Sequence, residues 1–309
     1  MSFPKYPAYK DSGVEWLGEV PAHWEVKCLK HVIANIGQGW SPQCEGFPVS
    51  SDDEWGVLKV GCVNGGQFRP DENKRLPDTE TPIPELGIVA GDMLISRANT
   101  RELVGSAAVV PADYPRLLLC DKLYRLRFKN DSCLPKFAAS FLATDAVRAQ
   151  IELAASGASS SMLNIAQSTI LELKIALPEV TEQEQISEVL AVETAKIDAL
   201  VAEQEKLIAL LKEKRQAVIS HAVTKGMDPS VPMKDSGVEW LGEVPAHWEV
   251  THIKRMTSRM TDGAHISPET DGGIFDFVST KDVVDDEIDF DGALKTSPAS
   301  YEYLVRTGC

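Results

Sequence analysis

The chain has 309 residues, a hydrophobic fraction of 43% and a formal net charge of −15. That length suits two domains of ordinary size, each with its own core. No apolar run approaches the ~20 residues of a membrane-spanning helix, and the start MSFPKYPAYKD lacks a signal peptide's apolar stretch, so the cytoplasm is the expected compartment.

The acidity is uneven. Residues 1–180 carry a net −4, residues 181–225 a net −2 and residues 226–309 a net −9, with much of the surplus in DVVDDEIDFDG at 282–292. A mildly acidic first segment neither supports nor excludes a local basic face. The six cysteines (Cys28, Cys44, Cys62, Cys120, Cys133, Cys309) include no C-x-x-C pair and the six histidines no H-E-x-x-H spacing, so reduced structural thiols and no metal are expected.

In chain order, the first feature is KDSGVEWLGEVPAHWEV at 10–26, which returns at 234–250 identical in all seventeen positions and offset by 224 residues. It reads as a packing element: a turn at DSG, large apolar surface on Trp16, Leu17 and Trp24, and Pro21 aiming the chain into a following strand. Glu15, Glu19 and His23 also admit a catalytic reading. Two identical copies flanking divergent sequence suit a scaffold joint better.

Residues 25–177 read as strand and turn, with strands expected within GVLKVGCV (56–63), GDMLISRA (91–98), GSAAVVP (105–111), KLYRLRF (122–128) and LELKIALP (171–178). One amphipathic helix is expected over 135–155, with Phe137, Phe141, Val147 and Ile151 in the core. The first unit is thus an α+β domain spanning 1–180.

A long helix follows over 181–225, free of Gly and Pro until Lys225-Gly226, with a predicted capping box from Thr181 to Glu184. Steps of four and three from Ile186 trace a seam of Ile186, Leu190, Ile197, Leu200, Leu207, Leu211 and Val218, interrupted by Glu193, Gln204 and Lys214. Some 42 residues at ~1.5 Å each span roughly 60 Å, more than a compact domain covers along one side, so the seam wants another helix beside it. A surface helix packed on its own domain is the plainer reading.

The second unit, 226–309, opens with the repeated stretch and continues with a strand-like GGIFDFVST at 272–280. A full copy of the first unit would need roughly 140 further residues, so an incomplete second unit is expected.

Together the SGVEWLGEVPAHWEV openings, the GDMLISR element, the LPEVTEQEQI lead into the helix and the LKEKRQAVISHAVTKG end of it resemble the specificity (S) subunit of type I restriction–modification systems. The resemblance implies an α+β fold in which target-recognition domains read the two halves of a split site on double-stranded DNA and long helices set their spacing. It implies partners in methyltransferase (modification) subunits and a restriction/translocase subunit, which use S-adenosylmethionine and ATP with Mg, while this chain binds no cofactor and catalyses nothing. The expected departure is an incomplete second recognition domain, which leaves the helix seam to pair antiparallel with that of a second copy.

Base reading needs Arg, Lys, Asn, Gln, Ser or Thr at groove depth. The densest cluster is SRANTR: Arg97 and Arg101 suit guanine or phosphate, Asn99 adenine, and Ser96 or Thr100 the backbone. GQGWSPQ at 37–43 offers Gln38, Trp40 and Ser41, and the polar stretch SGASSSMLN at 156–164 reads equally as a linker. Lys59, Lys122 and Arg125 are phosphate candidates. The plainer reading of SRANTR is that its residues solvate a loop, since loops are commonly polar.

A methyltransferase is disfavoured by the absence of a [DN]-P-P-[YF] quartet, and an ATPase by the absence of G-x-x-x-x-G-K-[ST]. E-x-K occurs at Glu25–Lys27, Glu72–Lys74 and Glu172–Lys174 without a convincing companion acid, which weakens a nuclease reading. A coiled-coil adaptor without DNA binding is the remaining alternative.

Overall fold

The computed structural model describes residues 5–129, 132–159, 162–258, 260, 267–270, 273–284 and 287–307. Ser160 and Ser161 of the 156–164 stretch, Gly272, Asp285, Asp286 and Cys309 lie outside the described residues. The fold is α+β: a β-rich first part, a long helix at Val180–Lys225, and a further region of short strands and helices. Contacts divide the chain into two units, 1–205 and 206–309.

Two four-stranded sheets organise the first unit. One is antiparallel throughout, in the order Ala107–Val109, Met93–Ser96, Leu123–Phe128, Ile33–Gln38. The other runs Asn73–Arg75, Gly56–Leu58, Tyr114–Leu118, Gly87–Ile88, with its middle pair parallel. Strand alternation places the first sheet between two cores. Met93, Ile95, Tyr124 and Leu126 face a core completed by helices, whereas Leu94 and Leu123 join Val57, Ile88 and Leu118 on the side of the second sheet.

The expected helix over 135–155 is two helices, Pro135–Leu142 and Asp145–Ala154. The break has a local cause: Thr144 is extended at φ −68°, ψ 145°, and its hydroxyl donates to the Phe141 carbonyl at 2.8 Å. Phe137, Val147 and Ile151 are buried and Phe141 packs against the same core. The segment 171–178 likewise divides, into the end of a helix at Gln167–Glu172 and a strand at Lys174–Leu177. In 56–63 the strand stops at Leu58, and a 3₁₀ segment at Val60–Gly66 follows.

Both copies of the repeated stretch fold alike. Tyr9–Asp11 pairs with Glu19–Pro21, and Met233–Asp235 with Glu243–Pro245 in the same register. Gly13 and Gly18 have φ of 72° and 66°, and Gly237 and Gly242 repeat these values. In the first copy the chain continues into Glu25–Cys28, which pairs with Lys174–Leu177, the strand just before the long helix. Trp16 and Trp24 pack against the helix-side core, as a packing element should.

That pairing sets His23 and Trp24 beside the helix start. His23 Nε2 lies 2.9 Å from the Glu182 carboxylate, the Trp24 indole N–H donates to it at 3.2 Å and the Tyr6 hydroxyl at 2.6 Å. Gln183 is fully buried; its carbonyl oxygen accepts the Leu134 N–H at 2.8 Å, and its amide donates to the Pro178 carbonyl at 2.9 Å. The predicted capping box is therefore absent. The helix begins at Val180, which puts Thr181 inside the first turn, and the Glu179 carbonyl accepts the N–H groups of Glu182 and Gln183 at 3.0 Å each. The helix stops at Lys225, followed by Gly226 at φ 78°, as the sequence implies.

Burial alone would push the Glu182 carboxyl upward, but the bonds from Tyr6, His23 and Trp24 together outweigh it and hold the group below the usual carboxylate range. The same carboxylate pushes the Tyr6 hydroxyl up to about 12. A carboxylate depressed in the folded state stabilises the fold above its unfolded pKa and loses that contribution as pH falls through its folded pKa. Glu182→Gln is therefore expected to cost about 1–3 kcal/mol at neutral pH. Urea unfolding at a series of pH values should show the gap to wild type closing as the solution is acidified below the usual carboxylate range. An equal gap at all pH values would contradict the assignment.

Beyond its start, the long helix is bare. Ile186 packs against the helix-side core and Leu190 is half-buried, but Leu200 is 64% exposed and Leu211 55%. Ile197, Leu207 and Val218 are exposed as well. Among the described residues no helix is long and apolar enough to cross a membrane.

Candidate nucleic-acid interface

Three stretches far apart in sequence meet at one edge of the first unit. The strand Met93–Ser96 ends in a bend at Arg97 and resumes as Ala98–Asn99. The Arg97 peptide is pinned on both sides: its N–H donates to the Lys122 carbonyl at 2.8 Å, and its carbonyl accepts the Ile165 N–H at 3.0 Å. Ala98–Asn99 then pairs with Met162–Asn164, so the middle of SRANTR and the end of SGASSSMLN lie side by side in one small sheet.

The third stretch arrives from the end of Ile33–Gln38. The Arg97 guanidinium and the exposed Gln38 amide both donate to the Asp121 carbonyl, at 3.3 Å and 3.0 Å. Trp40 bridges to Cys120 in parallel fashion, and its N–H donates to the Leu119 carbonyl at 3.1 Å. Gly39 permits this approach, because a Cβ there would lie 1.9 Å from the Leu119 carbonyl oxygen. Gly39→Ala is thus expected to force the Trp40 segment off its neighbour at a cost of about 1–3 kcal/mol, read as a lowered urea midpoint. An unchanged midpoint would contradict the close approach.

A loop that sequence reasoning missed completes the edge. The Asn99 side-chain amide donates to the Asn64 side-chain carbonyl at 3.2 Å, and Arg69 donates to the Asn64 backbone carbonyl at 2.9 Å. Gly65 and Gly66, both at φ 76°, turn this loop back, and the Arg69 N–H closes it on the Cys62 carbonyl at 2.9 Å. The sequence signal was present in VNGGQFRP, where paired glycines stand between Asn, Gln and Arg. Lys59 stands at the foot of the same loop with its ammonium 3.4 Å from Glu72.

The other candidates separate by burial. Ser41 and Arg101 are exposed, and Thr100 and Lys122 half-buried. Ser96 is fully buried, and its hydroxyl donates to the Leu103 carbonyl at 2.8 Å. Arg125 is 9% exposed, donates to the carbonyls of Gly87 and Glu85 at 2.9 Å and 3.2 Å, and burial draws its pKa down. Arg125 thus ties the first sheet to the second, Ser96 is spent on the turn that follows its own strand, and both are buried away from a groove, which corrects their place among the contact candidates. Two commitments also temper the rest: the Asn99 side-chain oxygen accepts the Thr100 N–H at 2.9 Å, and Asp121, together with Glu72 beside Lys59 and Glu102 next to Arg101, sets carboxylates among the cations. Among the described residues no group of three or more His, Cys, Asp and Glu is placed to hold a metal ion.

What gathers is a rigid edge that presents guanidinium and amide groups from four chain segments. Such groups suit base edges and phosphates, and the paired backbone around Arg97 limits the ordering needed on binding.

Residues 87–209 match the family described as Type I restriction modification DNA specificity domain. The chain is 34% identical over 160 residues to the type I restriction enzyme EcoEI specificity subunit of Escherichia coli, a match covering 52% of this chain and 27% of that protein. It is 26% identical over 246 residues to the putative type I restriction enzyme MjaX specificity subunit of Methanocaldococcus jannaschii, covering 77% of this chain and 53% of that one. The matches thus span about a quarter and about half of those relatives. In fold, the chain is similar to a solved structure described as the structural basis underlying complex assembly and conformational transition of the type I R-M system, with a TM-score of 0.51 at 21% identity over 69% of this chain and 48% of that one. The part of the chain that is similar to the type I restriction modification DNA specificity domain family, residues 87–209, thus holds the Arg97 bend and the first part of the long helix.

Proposed function

We propose that this chain is the DNA-recognition subunit of a type I restriction–modification complex and acts by positioning. The observation that carries the reading is that the segment matching a DNA specificity domain contains the bend where Gln38, Trp40, Asn64, Arg69, Arg97, Asn99 and Lys122 converge. Arg97, Arg101 and Asn99 address bases, with Arg69, Lys122 and Lys59 toward phosphates and Gln38, Ser41, Thr100 and Trp40 on the rim. The domains follow as 1–180 for recognition, 181–225 for the spacer helix and 226–309 for a second recognition region. The chain works in the cytoplasm, carries no cofactor of its own, and is served by methyltransferase and restriction/translocase subunits that use S-adenosylmethionine and ATP with Mg. Its exposed helix seam pairs antiparallel with a second copy.

The test is binding of double-stranded DNA by the chain reconstituted with methyltransferase subunits across a salt series. Recognition predicts a linear fall of log affinity with log salt, whose slope counts the phosphates contacted, and a preferred sequence that survives competitor DNA. Association of the proteins without DNA binding would favour the coiled-coil adaptor instead.

A further inference from the structure

Asn99 is held by more than its strand. Its backbone pairs with Leu163, and its carboxamide makes two internal bonds: the oxygen accepts the Thr100 N–H at 2.9 Å, and the amide nitrogen donates to the Asn64 side-chain oxygen at 3.2 Å. Either bond alone would be a pivot about which the carboxamide turns. Two bonds, one on the oxygen and one on the nitrogen, fix its plane and decide which end carries the oxygen.

Asn64 is placed in turn by its own loop. Asn64 at φ −65°, ψ 135° and Gly65 at φ 76°, ψ 14° have the angles of a type II turn, whose second central position favours glycine. The Arg69 guanidinium donates to the Asn64 backbone carbonyl at 2.9 Å, and the Arg69 N–H closes the loop on the Cys62 carbonyl. The orientation of Asn99 is therefore set by a turn 35 residues earlier in the chain.

A carboxamide has two N–H donors and two oxygen lone pairs. Asn99 has one of each committed, so one N–H and one lone pair are left on a side chain that is half-buried rather than enclosed. In the major groove only adenine offers a donor and an acceptor together, N6–H and N7; guanine offers two acceptors, and cytosine and thymine one polar group each. We propose that Asn64 is a positioning residue that locks the Asn99 carboxamide in the orientation that reads adenine, so that Asn64 sets the preference at one base of the target through Asn99 and not by a contact of its own. This inference rests on the DNA-recognition reading and goes beyond it by naming the base and the residue that fixes it.

The test uses the full chain reconstituted with methyltransferase subunits and a random pool of double-stranded DNA, from which bound molecules are selected and sequenced. The wild-type chain should yield a motif containing an adenine whose enrichment Asn99→Ala abolishes. Asn64→Ala should lower the enrichment of that adenine over the other bases at least tenfold, about 1.4 kcal/mol, and leave the rest of the motif in place, which also shows that the domain is folded. Asn64→Asp keeps an acceptor oxygen in the same place and should retain the adenine, although its charge weakens binding to every sequence. In the Asn99→Ala background, Asn64→Ala should change nothing further at that position. A pool that yields no motif would remove the recognition reading and this inference with it. A motif in which Asn99→Ala affects a base other than adenine would overturn the inference alone. So would an Asn64→Ala chain that keeps the adenine or erodes all positions alike, or an Asn64→Asp chain that loses the adenine.

Discussion

Replacing Arg97 with alanine in the complex with methyltransferase subunits is expected to cost about 1–3 kcal/mol in DNA affinity and to relax preference at one position of the target. The reason is geometric. Arg97 sits on a bend whose peptide is held from both sides, and its guanidinium is tied only to a carbonyl, at 3.3 Å, so it can turn to a guanine edge at small cost. Asn99→Ala should behave likewise at a different base, because its amide partner Asn64 lies on a flanking loop. Lys122→Ala should weaken all sequences about equally and reduce the salt slope by about 1. Arg125→Ala provides the contrast. Removal of its buried guanidinium strands the carbonyls of Gly87 and Glu85, so it should lower stability by about 1–3 kcal/mol without altering which sequence is preferred. Fluorescence anisotropy on a panel of single-base variants separates these outcomes; an Arg97→Ala protein with unchanged affinity and preference would remove Arg97 from the site.

The second large effect concerns the helix. Leu200→Glu with Leu211→Glu is expected to convert a pair of chains into single ones at micromolar concentration, read by light scattering on a sizing column. Both side chains are more than half exposed and sit on one seam with Ile197, Leu207 and Val218. Burial of each against a partner contributes about 1.5–3 kcal/mol, and the double variant removes two such contributions from each chain while adding charge. Helix content should persist, because Glu182 and Gln183 anchor the helix start outside the seam. A wild-type chain that is already single across the micromolar range would contradict the pairing.

The periodic features were the legible ones. The strands at GDMLISR, SAAVV and KLYRLRF follow from β-branched and apolar runs between turn residues, and the long helix from its lack of Gly and Pro up to Gly226. The failures arose where a nonlocal partner decides. By strand alternation, Arg125 opposes Tyr124 and Leu126 and reads as a solvent residue, yet a second sheet covers that face and supplies carbonyls to it. Ser96, expected on the backbone of DNA, is instead buried with its hydroxyl donated to the Leu103 carbonyl of the turn after its strand. The Thr181–Glu184 pattern matched a capping box, but Gln183 and Glu182 fix the start through residues up to 176 positions away. The site was legible as three polar stretches; their convergence on Asp121 and Asn99 was not, since it depends on how the sheets are joined.

The measurement that bears most directly on the account is the methylation map of genomic DNA from cells expressing this chain with its methyltransferase partner. The account predicts methylated bases within one defined motif, absent from cells without this chain and changed at one position by Arg97→Ala. No motif that depends on the chain, or the same motif from both proteins, would contradict it.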